Sequence, residues 1–235
     1  MSHAGPTPKV APLRDLPRPA LARRRPLEVL WPADLSMLHV HDSGRDANAF
    51  WGGDRAHRSR FSPFAPHGGR YPGDDPVPVL YVADEVEGAL SESVFHDIAP
   101  TGSRRRMPLA KLETRTMTEL TPTRDLRLVD LRSDGLHRLR ISRADLIETG
   151  PAYYPQTALW AAALHARVEG YDGMTWVSRQ FDTSMAAVLF GDRVTAAEMP
   201  VPRGGLALPL GVGAGLEMVL ERAERIVVTI TGIPR

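Results

Sequence analysis

Between residues 77 and 94 the apolar positions change their period. Val77-Pro78-Val79-Leu80-Tyr81-Val82-Ala83 is a continuous β-branched and aromatic run that predicts a strand, with Pro78 confined to its start. Beyond it, Val86, Ala89, Leu90 and Val94 recur at i, i+3, i+4 and i+8, which places them on one face of a helix. Asp84 is the expected N-cap, and Glu85 and Glu87 fall in a first turn where the helix dipole favours anions. Glu92 lies about 120° from the centre of the apolar face, on the flank it shares with His96. The helix therefore turns that carboxylate sideways, toward a cleft, instead of straight into the core.

The same reading extends along the chain. Leu126 to Leu131 predicts a second strand, Ser142 with Asp145 a capping-box-like start to a short helix, and Pro155 to about Val168 a longer helix ended by Gly170. Met174-Thr175-Trp176-Val177 and Ala186 to Phe190 read as strands. After Pro200 the chain turns Gly- and Pro-rich, and Ile226 to Ile230 is a plausible final strand. Strands and helices mixed without regular alternation favour an α+β fold, a compact mixed or antiparallel sheet flanked by helices in a single domain. That domain is expected over residues 27–235, preceded by a mobile Pro/Arg-rich arm over residues 1–26 that has no period of 2 or 3.6. Residues 51–75 are too irregular for an element yet rich in aromatics, which predicts a long ordered loop of the kind that carries function. No repeat of 20 to 50 residues is visible.

Composition narrows the chemistry. The 235 residues contain no cysteine, so a disulfide framework, a thiolate metal site and a Cys nucleophile are excluded. No stretch approaches the roughly 20 apolar residues of a membrane span, and the Pro- and Arg-broken N-terminus lacks an apolar signal core, so a cytoplasmic protein without membrane contact is expected. The net charge of +1 supplies no global field for nucleic acid, and direct nucleic-acid binding is not expected. The run Arg23-Arg24-Arg25 leaves open a partner-binding or nucleic-acid-binding tail, and Arg104-Arg105-Arg106 reads as a solvated loop. Lys9 and Lys111 are the sole lysines. Arginine, the better bidentate partner for phosphate, carries nearly all the positive charge.

Glycine-rich nucleotide loops, H-E-x-x-H and G-x-S-x-G are all absent. His39-Val40-His41-Asp42 sits on an apparent strand, where the two imidazoles share a face, but an H-x-H pair alone is a weak metal signal and no metal is expected.

Four segments then occur in order: Ser59-Arg60-Phe61-Ser62-Pro63; Val79-Leu80-Tyr81-Val82-Ala83; Ala89-Leu90-Ser91-Glu92-Ser93-Val94-Phe95-His96; and Tyr171-Asp172-Gly173-Met174-Thr175-Trp176-Val177-Ser178-Arg179-Gln180, closing on Leu189-Phe190-Gly191-Asp192-Arg193. Together they resemble the RES-domain family, named for an Arg, a Glu and a Ser, which map onto Arg60, Glu92 and Ser178 over roughly residues 35–197. The resemblance implies a fold similar to ADP-ribosyltransferases and an activity that destroys NAD by hydrolysis or phosphorolysis. NAD would be a substrate and inorganic phosphate a co-substrate, with no bound cofactor. It also implies a toxin silenced by a helix-turn-helix, Xre-type antitoxin encoded beside it, with a homodimer as a further option.

The residue types suit that chemistry. The nicotinamide of NAD already leaves as a neutral base, whereas positive charge grows on the ribose, so a fixed carboxylate is the required electrostatic partner. Glu92 is the candidate for this role, Arg60 for gripping diphosphate or phosphate, and Tyr81 and Phe61 for enclosing a flat ring. Ser178 and its neighbour Arg179 are candidates for positioning the substrate. Each has an ordinary alternative: an exposed helix acid paired with His96, a solvated loop arginine, core aromatics and a turn serine. His39 stands where related sequences usually carry an arginine; a neutral imidazole offers a phosphate only one hydrogen bond, and Arg45 or Arg55 is the alternative source of charge. Competing readings are a binding module without turnover, ADP-ribosyl transfer to a macromolecule, and a metal hydrolase built on His39 and His41.

Overall fold

A computed structural model describes residues 15, 17–21, 24–53, 56–66, 75–98 and 105–233. Among the described residues ten strands and five α-helices follow one another as β1 (Glu28–Trp31), β2 (Met37–Asp42), β3 (Val79–Ala83), α1 (Val86–Ser93), β4 (Arg106–Pro108), β5 (Arg115–Leu120), β6 (Leu126–Asp130), α2 (Ser133–Leu139), α3 (Arg143–Leu146), α4 (Tyr154–His165), β7 (Gly173–Val177), β8 (Met185–Phe190), β9 (Ala207–Pro209), α5 (Gly213–Arg225) and β10 (Thr229–Thr231). Eight strands form one sheet in the order β1-β6-β7-β8-β3-β2-β5-β9, and β10 pairs with β4. Within the large sheet β6 and β7 run parallel and the other neighbours antiparallel, so the fold is α+β with a mixed sheet in a single domain.

Alternation along the strands sorts side chains onto two faces. Val79, Trp176, Ala186 and Val188 point to the face covered by α2, α3 and α4, where Leu136, Leu146, Trp160 and Leu164 complete a core. Leu38, Ala83 and Met117 share that face further along and are covered by Leu90 of α1 and Val219 of α5. Leu80, Val82, Leu120, Leu128 and Leu189 lie on the opposite face, over Trp31 and Met199.

The sheet is not uniformly closed. β2 follows β5 through six residue pairs, from Met37↔Leu120 to Asp42↔Arg115, whereas it meets β3 at Leu38↔Ala83 alone. Where β2 and β3 part, a cleft opens on the helical face, and α1 crosses its rim. That helix sits close on the residue that leads into β8: a Cβ at Gly88 would fall 1.8 Å from Ser184 Oγ.

Local expectations are met in part. Ser142 accepts the Asp145 N–H at the start of α3, whereas α4 ends at His165 with Ala166 as its C-cap, short of the expected end at Gly170, which takes a positive φ of 68° in the turn beyond. Others need correction. Asp84 does not cap α1: Glu85 is the N-cap and makes no side-chain cap bond, because Asp84 Oδ1 accepts Ser184 Oγ at 2.7 Å and the Met185 N–H at 2.9 Å. The Gly-rich segment after Pro200 contains the 13-residue helix α5. The arm expected to be loose over residues 1–26 is tied down where it is described, since irregular backbone carbonyls here find side-chain donors. Pro17 O accepts Trp160 Nε1, Leu21 O accepts Arg167, and the Leu21 side chain is buried in the core. Residues 1–14, 16 and 22–23 of that arm, together with Arg55, Arg104 and much of the 51–75 loop, lie outside the described residues.

Candidate active site

Glu92 sits in the last turn of α1, 11% exposed, and meets groups from two other segments. Its Oε1 accepts Ser178 Oγ at 2.8 Å and the Arg179 backbone N–H at 2.7 Å. Its Oε2 accepts Arg60 Nη1 at 3.2 Å. Ser178 follows directly on β7, with its own N–H held by Ser184 O, so the strand end delivers hydroxyl and amide together. Burial, the largest single influence, opposes the charge. Arg60, the Arg179 amide, the Ser178 hydroxyl and His96 together outweigh it, and the carboxyl is held below its ordinary range. Glu92 is thus an oriented carboxylate in which Oε2 has one lone pair left to accept.

Arg60 lies in a turn closed by Ser59 N–H to Ser62 O at 2.9 Å, and its carbonyl accepts the Thr157 hydroxyl of α4. Only 2% exposed, its guanidinium reaches Glu92 and, through Nη2, His96 Nε2 at 3.3 Å, while Nε has no partner. It is neither a solvated loop residue nor, in this arrangement, presented to an incoming phosphate. His96 is further engaged by Tyr154 OH at 3.0 Å.

Tyr81 lines the cleft, and its hydroxyl is engaged by Ser59 Oγ at 2.8 Å and the Phe61 N–H at 3.1 Å. Burial pushes this phenol up, so it stays protonated. Leu38, Val40, Ala83, Ala89, Trp176 and Ala186 supply apolar walls, and Glu92 stands at their edge. The space measures about 300 Å³ with its open mouth included.

Three sequence candidates sit elsewhere than expected. Phe61 is fully buried and packs edge-on against Trp176 with centroids 5.2 Å apart, so its faces are covered by protein instead of lying open to a base. The Arg179 guanidinium is committed to Thr149 O and His96 O; its contribution to the site is its backbone N–H. His39 alternates with Leu38 and Val40 and therefore points to the sheet face away from the cleft. Its Nδ1–H donates to Tyr81 O at 2.6 Å, bridging the parting strands, and burial pushes its pKa down to about 4. The neutral ring has its single N–H already in use. The alternative charge at Arg45 is stacked 5.1 Å over Trp51. His39 and His41 stack at 5.6 Å, and among the described residues no three His, Asp or Glu side chains are grouped as metal ligands.

Sequence reasoning missed the Arg179 amide, Thr157 and Tyr154. A backbone donor leaves no mark in sequence, and the other two belong to α4, far along the chain from Arg60.

The sequence profile of the RES domain matches residues 30–211. The chain belongs to the RES-domain family. Its fold is similar to that in the crystal structure of the M. tuberculosis MbcT–MbcA toxin–antitoxin complex, with a TM-score of 0.54, 16% identity, and coverage of 83% of this chain and 92% of that one. Comparison with curated proteins finds no match. Within this family member, Arg60, Glu92 and Ser178, which lie 32 and 86 residues apart in sequence, meet at one carboxylate. No helix among the described residues is long and apolar enough to cross a membrane.

Proposed function

We propose that this protein cleaves NAD at the nicotinamide–ribose bond and serves as the toxin of a bacterial toxin–antitoxin pair, acting in the cytoplasm and silenced by a helix-turn-helix antitoxin. The observation that carries the reading is the ionised Glu92, fixed by Ser178, Arg179 and Arg60 at the edge of an apolar cleft. Nicotinamide enters the apolar space as a pyridinium and leaves neutral. The ribose becomes cationic beside Glu92, whose remaining Oε2 lone pair holds a ribose hydroxyl. A carboxylate already oriented needs no reorganisation when that charge appears. Arg60 keeps the carboxylate ionised and aimed, and water or inorganic phosphate then takes the ribosyl carbon. The toxin role draws on the RES profile and on the likeness to MbcT.

The test is to incubate the purified protein with NAD, with and without phosphate, and follow nicotinamide release. Release that needs phosphate identifies phosphorolysis, release without it hydrolysis, and label left on a protein or nucleic acid identifies ADP-ribosyl transfer. No release by wild type, or undiminished release by Glu92→Gln, overturns the reading.

One observation favours a second reading, a protein that binds NAD or ADP-ribose without consuming it. The RES-domain resemblance aligns His39 with an arginine of related sequences, and its N–H is occupied by Tyr81 O. On that reading wild type binds NAD and leaves it intact, with no nicotinamide released.

A further inference from the structure

We infer that Arg222, on the last helix α5, is a positioning residue for Glu92: by fastening α1 to the segment between β7 and β8 it keeps the Ser178 hydroxyl and the Arg179 N–H on the carboxylate. This inference rests on the proposed NAD cleavage. It assigns a role to a residue beyond the stretch matched by the RES profile, which ends at residue 211, whereas α5 begins at Gly213.

Residues 178–184 join β7 to β8 and supply two of the three donors to Glu92. The base of this segment is closed by the Ser178 N–H to Ser184 O at 2.8 Å, and Ser184 Oγ is tied to Asp84. Beside the donors it meets α5. Arg222 Nη2 donates to Gln180 O at 3.0 Å and to Ser91 Oγ at 3.1 Å. Ser91 precedes Glu92 and Gln180 follows Arg179, so a single nitrogen spans the two segments one residue away from each partner of the Glu92–Arg179 bond. The Gln180 amide and the Arg179 guanidinium also hold the segment, on the carbonyls of Phe95, His96 and Thr149. Those carbonyls lie past the end of α1; Arg222 fixes the segment to the body of the helix itself.

Packing alone does not account for an arginine at this place. The residue is 7% exposed, burial disfavours its charge, and it forms no ion pair among the described residues. Glu87, the acid of α1 that attracts it, lies 4.0 Å from Arg225 instead. The guanidinium is covered by Phe181, 4.7 Å from the ring centroid, and Nε has no partner. Burying a cation without a counter-charge is costly, and an apolar side chain of similar length would pack α5 on α1 without that penalty. Such a side chain could not hold a hydroxyl and a carbonyl on two segments at once. Once Gln180 is released, the adjoining Arg179 amide and Ser178 are free to draw back from Oε1, while Arg60 still holds Oε2.

The experiment follows the Glu92 side-chain carboxyl by carbon NMR as pH is lowered, in wild type, Arg222→Met and Ser91→Ala, with the resonance identified by its loss in Glu92→Gln. In both variants its titration midpoint is expected to move upward, because Oε1 loses donors while burial continues to oppose the charge. Arg60 and His96, the charged and titratable groups that act on Glu92, are unchanged in both. Ser91→Ala keeps the Arg222 charge, so its smaller shift reports the fastening and not the field. In parallel, Arg222→Met should lower kcat for nicotinamide release about tenfold with KM held within about twofold, as expected when a partner of the transition state is misaimed. A midpoint unmoved in Ser91→Ala, or a loss carried by KM with kcat kept, overturns the assignment. Should Arg222→Met fail to fold, the Ser91→Ala titration decides alone. If wild type releases no nicotinamide, the cleavage reading falls and the titrations still judge the positioning.

Discussion

Two arginine–carboxylate clusters occupy opposite ends of the sheet, and they differ in how completely they are satisfied. At one end Arg124 uses all five of its N–H groups: Nε to Glu198, Nη1 and Nη2 as a fork on Asp172, and two more bonds to Asp125 O and Arg193 O. Asp172 additionally accepts the Arg127 N–H, and Glu198 closes a capping box with Thr195. That network ties β6 to the segments around β7 and β8 and leaves nothing to offer a ligand. At the other end Arg60 leaves Nε unused, and Glu92 Oε2 keeps a lone pair beside a cleft. Saturation marks a fastening; incompleteness beside an apolar hollow marks a binding site.

The contrast is sharpest if one atom of charge is removed from each end. Glu92→Gln keeps shape and is expected to cost about 10³-fold in NAD turnover with the fold retained, read as nicotinamide release alongside circular dichroism. Next comes Arg60→Met, which strands Glu92 as a buried carboxylate and should destabilise the protein by about 3 kcal/mol in chemical denaturation. The same variant reports on pH. Glu92 is held below its ordinary 4.5, so the unfolded chain takes up protons first as pH falls. Its contribution to stability is complete above about pH 4.5 and is lost as pH drops through the native value. In Arg60→Met the acid limb of turnover is expected to move upward, because burial then acts with less opposition.

Arg124→Ala should lower stability by about 2 kcal/mol yet leave the turnover of the folded fraction unchanged. A matching loss of activity would erase the distinction between the two clusters. Ser178→Ala is the mildest change: one of three donors to Glu92 disappears, and turnover should fall about fivefold to tenfold, with a small rise in the pH of the acid limb.

How far this was legible in sequence follows from how local each signal is. The strand through Tyr81, the helix carrying Glu92 and the strand ending at Ser178 are contiguous patterns, and they were visible. So was the sideways orientation of Glu92, which depends only on 3.6-residue periodicity. α5 was hidden because Gly213 and Gly215 open it, although Leu216, Val219, Leu220 and Ala223 carry the helical spacing. β5, Arg-Thr-Met-Thr-Glu-Leu, reads as polar because its outer positions dominate. His39 illustrates a different failure: its strand was visible, but the face it occupies depends on the pairing register with β5, which no local pattern specifies. Phe61 was undecidable between a stacking face and a core ring until Trp176 was seen against its edge.

Gly88 gives the molecule an unusual point of mechanical leverage. It lies one helical turn before Glu92, on a contact where there is no room for even a methyl group. A single added carbon there would lift the helix from its seat and carry the acid with it, altering no charge and no hydrogen-bonding group. The reach of the carboxylate is therefore set by a side chain that does not exist.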